Sequence, residues 1–347
     1  MTLEAEIKTE AKALGFLLAG IAPAVSAPYY AQYLTWLERG DHAEMHYLIR
    51  PDAVTARQHP AQLLPGVKAI LVLGTPYPPP AARRVPEPVQ PRGRIAAYAL
   101  LEDYHTVLGM RLNQLAARIQ ALSGHPLAWR ACVDSSPLLE KDYARLAGLG
   151  QIGRNSLLIN SDFGSWLLLS ELLLDLPLHP DSPLSGDPCE GCQRCQMACP
   201  TKAIRPDRTV DARRCLSYLT IEHRGPLPLW ARPLMGQRIF GCDACQSACP
   251  VRPGSRPSVA APGFSVQIEA EPELTWALQL TREEFQQVYG NTPVARCRYQ
   301  GFRRNAAMAL GNSRQPELLP FLQRLLSAEK DAVVADALVW AIEQLSA

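Results

Sequence analysis

The chain has 347 residues, 47% of them hydrophobic and 20% charged, with 35 Lys and Arg against 33 Asp and Glu. That balance excludes a disordered, collagen-like or coiled-coil protein, and a net charge of +2 gives no global pull toward nucleic acid. Length leaves room for two or three domains with cores that need no disulfides, and 31 prolines predict many sharp chain reversals.

In chain order, Glu4 to Leu14 reads as an amphipathic helix stopped at Gly15, Phe16 to Ile21 as a buried strand, and Pro28 to Arg39 as a helix ending before Gly40. Lys68 to Thr75 and Leu127 to Val133 read as strands on either side of a helix from Glu102 to about Leu122. Pro137 opens another helix toward Ala147. Residues Ser165 to Leu174 read as a hairpin arm or long buried strand, although periodicity alone leaves a helix open. Residues 1–180 are taken as one α/β domain. From 181 to 255 cysteines, short helices and Pro breaks dominate, in an inserted-looking unit where metal ligation replaces part of the core. A Pro/Gly/Ser-rich linker over Pro250 to Pro262 follows. Helical patterns at Arg282 to Val288, Phe302 to Leu310, Glu317 to Leu326 and Ala332 to Leu345 then suggest a HEAT-like α-solenoid tail within 256–347.

No apolar run reaches the roughly 18 residues that span a bilayer. Met1 to Glu10 carries three Glu and one Lys rather than an apolar signal segment, so a cytoplasmic protein is expected. In a reducing compartment cysteines are not read as disulfides, and eight of the ten fall between Cys189 and Cys249. Cys189-x2-Cys192-x2-Cys195-x3-Cys199-Pro200 is the ferredoxin run in which three thiolates hold one [4Fe–4S] cube and the fourth reaches another. The second run, Cys242-x2-Cys245-x3-Cys249-Pro250, is one short, and Cys215 completes it. The crossing rule then places Cys189, Cys192, Cys195 and Cys249 on one cluster, and Cys199, Cys215, Cys242 and Cys245 on the other. Zinc held by four cysteines per site is the competing assignment, but it does not account for the paired C-x3-C-P endings. Cys132 and Cys297 fall outside the pattern and read as buried thiols. Gly148 to Gly153 matches G-x-G-x-x-G, yet it follows a helix rather than a strand, so nicotinamide binding is rejected.

Two cubes conduct electrons and need an acceptor. Beyond the cysteines, several stretches carry a resemblance over nearly the whole chain: Arg57-Gln58-His59-Pro60 with Leu63 to Gly66, Asp103-Tyr104-His105, Val133 to Pro137, Gly148 to Gly150 through Ser156, Val210 to Glu222 and Arg238 to Asp243. On these the sequence resembles epoxyqueuosine reductase, a cobalamin-dependent tRNA-modifying family. The resemblance implies a corrin between the α/β domain and the ferredoxin-like unit. It also implies Arg57 and Asp134 as polar contacts of cobalamin, Leu158 and Leu169 as apolar ones, and Ser217, Cys242 and Asp243 on the cluster side. Asp134 matches the proton donor. The residues themselves leave a helix cap open for Asp134, since it precedes Pro137. To donate a proton near neutrality, it would need a dry pocket with few donors and a raised pKa. Asp103-x-His105-x-x-Leu108 nearly matches a cobalt-ligating signature but lacks its final Gly, so His105 is read as packing or hydrogen bonding. Gln151, Val251-Arg252 and Ala99 to Leu101 depart from the family pattern, which puts local substrate contacts in doubt rather than cluster ligation.

The reaction so implied removes the epoxide oxygen of epoxyqueuosine in tRNA as water, with two electrons from an external donor such as flavodoxin or ferredoxin. A monomer is expected. For tRNA, Arg296, Arg298, Arg303, Arg304 and Arg314 around Tyr299 and Phe302 suggest a phosphate-contacting stripe, with a solvated ion-paired face as the plainer alternative; Arg213 and Arg214 are further basic positions. Two rivals are weighed against this reading. A reductive dehalogenase would ordinarily carry a twin-arginine signal, absent here. A bare ferredoxin-type carrier leaves the first 180 residues without a task.

Overall fold

The computed structural model describes residues 2–79, 90–251 and 264–346. Almost all of the linker expected over Pro250 to Pro262 therefore lies outside the described residues, as does Arg252. Helix α1 (Leu3–Ala13) leads into β1 (Leu18–Pro23), α2 (Tyr30–Glu38), α3 (Pro51–Gln58) and β2 (Ala69–Pro76). The short β3 (Arg94–Ile95), the long α4 (Tyr104–Ser123), β4 (Trp129–Cys132) and α5 (Glu140–Leu146) follow, then the small hairpin β5 (Gln151–Ile152) and β6 (Leu158–Ile159), and β7 (Leu167–Leu174).

The main sheet has the order β1-β2-β7-β4. Every pairing in it is antiparallel. The mixed helix and strand content agrees with the α/β expectation, but the strands do not form the parallel βαβ units that the term strictly denotes. All eight residues of β2 are buried, because helices cover both faces. Ala69, Leu71 and Leu73 pack with Leu108, Leu112 and Leu115 of α4, while Ile70 and Val72 pack with Tyr143 and Ala144 of α5. The alternation continues on β7, where Leu172 and Leu174 face α4 while Leu173 shares the α5 face. This two-sided burial erases the polar alternation that would have identified the 165–174 run as a strand. Gly20 on β1 allows the end of α5 to close on the sheet, since a Cβ there would overlap the Ala147 carbonyl oxygen.

The cysteine-bearing region is built from short pieces: α6 (Arg194–Ala198), α7 (Leu216–Ile221), β8 (Arg238–Phe240) and α8 (Ala244–Ser247). Strand β3 pairs in parallel with β8 and stitches this region to the sheet-bearing half. The tail comprises α9 (Leu274–Gln279), α10 (Arg282–Tyr289), α11 (Arg298–Gly311), α12 (Leu319–Ala328) and α13 (Ala332–Ser346). Its core is continuous with that of the cysteine region: Phe302, Met308 and Leu338 belong to one buried cluster with Leu216, Leu219, Ile239 and Phe240. No helix among the described residues is long and apolar enough to cross a membrane.

Candidate active site

Asp103 caps α4, its Oδ1 accepting the His105 N–H at 3.0 Å, and so places Tyr104 and His105 in the first turn. Both face the loop that leaves β4. There Asp134 sits in the left-handed region at φ +52°, and its Oδ2 accepts the Tyr104 hydroxyl at 2.9 Å and approaches His105 Nε2 at 3.3 Å. The other imidazole nitrogen, Nδ1, lies 2.7 Å from Asp103 Oδ1. His105 is thus the hydrogen-bonding residue expected, clamped between two carboxylates. Asp134 does not cap α5, which begins at Glu140 after Leu139 and has no side-chain cap.

The expected dry pocket with few donors is not what surrounds Asp134. Its side chain is 61% exposed. Desolvation by its neighbours pushes the carboxyl up, but bonds from His105 and Tyr104 outweigh it and hold Asp134 below the ordinary carboxylate range. His105 moves the other way, raised to about 9 by its bonds to Asp103 and Asp134. At neutral pH the transferable proton therefore resides on the imidazole, one hydrogen bond from Asp134. The departure arises because the decisive partner lies 29 positions earlier in the chain, on another element.

From Asp134 a chain of buried and partly buried aromatic groups runs toward the cysteines. Tyr104 meets Tyr98 edge-on at 6.2 Å, and Tyr98 lies 6.2 Å from Phe240 at the end of β8. Beside it, the Ala97 N–H donates to Asp243 Oδ2 at 2.8 Å. Gln246 on α8 hydrogen-bonds Tyr77 and Ser165, anchoring the second cysteine run against the sheet-bearing half.

The thiols themselves fall into two groups. Cys189, Cys192, Cys195 and Cys249, with Pro188 and Pro250, line one small, largely enclosed space. In the other group burial pushes Cys215 up to about 11 and raises Cys245 further, and in each case the neighbouring cysteine thiols add to it. Cys199 is lowered instead: burial pushes it up, but N–H donation from Ala203 and bonds at Thr201 outweigh that. Among the described residues no three His, Cys, Asp or Glu side chains converge on a single-ion site. Cys132 and Cys297 are buried apart from both groups, as expected.

A family model described as epoxyqueuosine reductase QueG, DUF1730, matches residues 57–135, and one described as a 4Fe-4S double cluster binding domain matches 188–252. An epoxyqueuosine reductase of Pseudomonas aeruginosa is 38% identical over 345 residues, covering 99% of this chain and 94% of that protein. The chain belongs to the epoxyqueuosine reductase family. The corresponding Escherichia coli protein is 37% identical over 347 residues, covering 99% and 89%. An epoxyqueuosine reductase structure from Streptococcus thermophilus superposes with a TM-score of 0.90 at 29% identity, over 99% of this chain and 90% of that one. A second, with an epoxyqueuosine-modified tRNA stem loop, gives 0.83 at 27% identity over 99% of both chains. A third, from Bacillus subtilis, has its Asp134 catalytic loop swung out of the active site and gives 0.86 at 27% identity, over 99% and 90%. Family membership makes the chain an oxidoreductase with a double [4Fe–4S] cluster domain, and it sets aside zinc, the dehalogenase and the bare carrier.

The arginine stripe drawn from the sequence does not hold together. Arg304 is 0% exposed: its guanidinium donates to the carbonyls of Leu219, His223 and Gly225 and to Asn305 Oδ1. Arg303 is also turned inward, paired with Glu329 at 2.7 Å beneath Tyr299. Neither residue presents charge to a nucleic acid, because α11 is enclosed by α7, α9, α13 and β8. Arg296 and Arg298 are exposed. Arg296 pairs with Glu222, lies over Tyr47 and contributes to the field that lowers Asp134. Tyr47, 42% exposed at this mouth, was not singled out by the sequence; an isolated tyrosine between loop residues carries no signal. Of the other basic positions, Arg213 pairs with Asp41 and Asp211, and Arg214 stacks on Trp230. Arg304→Met removes the donors of three buried carbonyls and is expected to destabilise the protein by at least about 3 kcal/mol in chemical denaturation. Arg298→Ala should leave stability within about 0.5 kcal/mol.

Proposed function

We propose that this chain reduces epoxyqueuosine in tRNA to queuosine, consuming two electrons and two protons as the epoxide oxygen leaves as water and a ring alkene remains. The observation that carries the reading is the outward-facing Asp134 carboxylate, held by Tyr104 and His105 and joined through Tyr98 to the Cys242–Cys245 segment.

The chemistry of the residues assigned to cobalamin supports that cofactor. Arg57 is 8% exposed, lies over Tyr33 and donates to the Ala53 carbonyl, yet has no carboxylate partner among the described residues. Such a buried cation suits an amide- or phosphate-bearing group. Arg57, Asp134, Leu158 and Leu169 would hold the corrin on one side, and Ser217, Cys242 and Asp243 on the cluster side. Leu158 is buried and Leu169 half-buried, while Ser217, Cys242 and Asp243 are partly open. Bound there, cobalamin supplies the low-valent cobalt chemistry that opens the epoxide. The chain manages the proton: His105 Nε2 passes it to Asp134 Oδ2, and Asp134 delivers it to the departing oxygen. Asp103 holds the imidazole from behind, and Tyr104 fixes Oδ2.

Cys189, Cys192, Cys195 and Cys249 hold one cube, and Cys199, Cys215, Cys242 and Cys245 the other, nearer the corrin. Electrons enter singly from a flavodoxin or ferredoxin. The chain works as a cytoplasmic monomer of three parts, 1–180, 181–255 and a HEAT-like 256–347. Arg296 and Arg298 flank the mouth and contact tRNA phosphates, with the modified base extruded toward the site. The test is anaerobic reconstitution with iron, sulfide and cobalamin, followed by a chemical reductant and epoxyqueuosine-containing tRNA. Nucleoside analysis should show queuosine only when cobalamin is present. A fully loaded protein that leaves the epoxide intact would overturn the proposal.

A further inference from the structure

Glu140 stands at the start of α5 and reads in sequence as an ordinary first-turn acid that favours the helix dipole. The structure gives its carboxyl a different neighbour: Glu140 Oε1 accepts the backbone N–H of Asp134 at 2.6 Å. Asp134 needs such a hold. A left-handed backbone at a residue with a side chain costs of order 1–3 kcal/mol and persists only where the surroundings fix it.

Behind Glu140 the environment is closed. The Glu171 carboxyl on β7 is 0% exposed, no N–H or hydroxyl donor reaches either oxygen, and its side-chain partner is the Glu140 carboxyl, with which it can bond when one of the two is protonated. Cys132 of β4 lies opposite Glu171 in the sheet register. Lys141, next to Glu140, turns its Nζ to the Ser156 carbonyl at 2.6 Å. Burial lifts Glu140 to about 8, with the Asp134 charge adding to it, and carries Glu171 well above the carboxylate range. A neutral Glu140 still offers a carbonyl oxygen to the Asp134 amide.

We propose that Glu140 is a positioning residue: its carboxyl oxygen latches the Asp134 amide and so keeps the Asp134 carboxylate against Tyr104 and His105. This rests on Asp134 being the group that hands over the proton. Asp134 is thereby held at both ends, its side chain by α4 and its backbone by α5.

Hydrogen exchange read residue by residue, with turnover, tests the latch in protein loaded with both clusters and cobalamin. Glu140→Ala should speed exchange of the Asp134 amide at least about tenfold. It should also lower kcat by roughly 10–100-fold while KM for tRNA stays within about threefold. Glu140→Gln keeps an acceptor oxygen and should restore most of both losses. Unchanged exchange at Asp134 in Glu140→Ala overturns the latch whatever happens to turnover, and faster exchange with undiminished kcat overturns its role in positioning. The native protein supplies a check that survives a variant failing to fold: an Asp134 amide exchanging at the rate of an unstructured peptide overturns the proposal. If Asp134 is not the proton-handling group, Asp134→Asn will retain full turnover, a result separate from the exchange measurement.

Discussion

Asp134→Asn is expected to reduce turnover by about 10²–10⁴-fold, the range removed with a positioned acid or base, while iron content, cobalamin binding and tRNA affinity stay at native levels. Asn can still accept from Tyr104 through its side-chain oxygen, so the loop geometry survives. It cannot take up the proton that His105 holds. The pH dependence separates this account from one in which Asp134 itself is the resting acid. With His105 at about 9 and Asp134 below the usual carboxylate range, activity should hold through neutrality and fall as pH rises through about 9. An acid carried on Asp134 would instead lose activity on the acidic side of neutrality. The same pair affects stability. His105 binds its proton more tightly in the folded chain, so its contribution is fully present below pH 6.5 and is lost as pH passes about 9. Full turnover in Asp134→Asn, or a rate already falling between pH 5 and 6, would count against this assignment.

The second large effect concerns Cys249. It lines the same space as Cys189, Cys192 and Cys195, although the sequence places it beside Cys242 and Cys245. Cys249→Ser should therefore reduce iron from about eight to about four atoms per chain and abolish turnover, leaving the other cube spectroscopically intact. Cys245→Ser should give the same iron count by losing the opposite cube. The double variant should lose essentially all iron. If Cys245 and Cys249 served one cluster, the double variant would match either single one, and the crossed arrangement would be wrong.

Local patterns were the most legible in the sequence. The cysteine spacing is a property of one turn, and it pointed to the double [4Fe–4S] domain that the family model matches over 188–252. Helices with one apolar face were also placed closely, α4 and α13 among them. What failed depended on partners far along the chain. The neighbouring Arg303 and Arg304 read as surface charge, yet the part of α11 that carries them packs against the surrounding elements and turns both side chains inward. Asp134 was expected to be buried and protonated, whereas His105 and Tyr104 arrive from α4 to keep it ionised. The antiparallel sheet was invisible as well, since β1, β2, β7 and β4 meet across long stretches of chain. Glu140 went unremarked in the sequence because its place depends on what its oxygen meets, the Asp134 amide six positions earlier.

The parallel pairing of β3 with β8 ties the proton-handling end of the site to the second cysteine run. Main-chain hydrogen bonds join the segment carrying Tyr98 to the strand that runs directly into Cys242, so the gap between the proton-handling end and the near thiols is fixed at synthesis. No loop separates β8 from Cys242, so whatever moves Tyr98 also moves the first thiol of the second cysteine run.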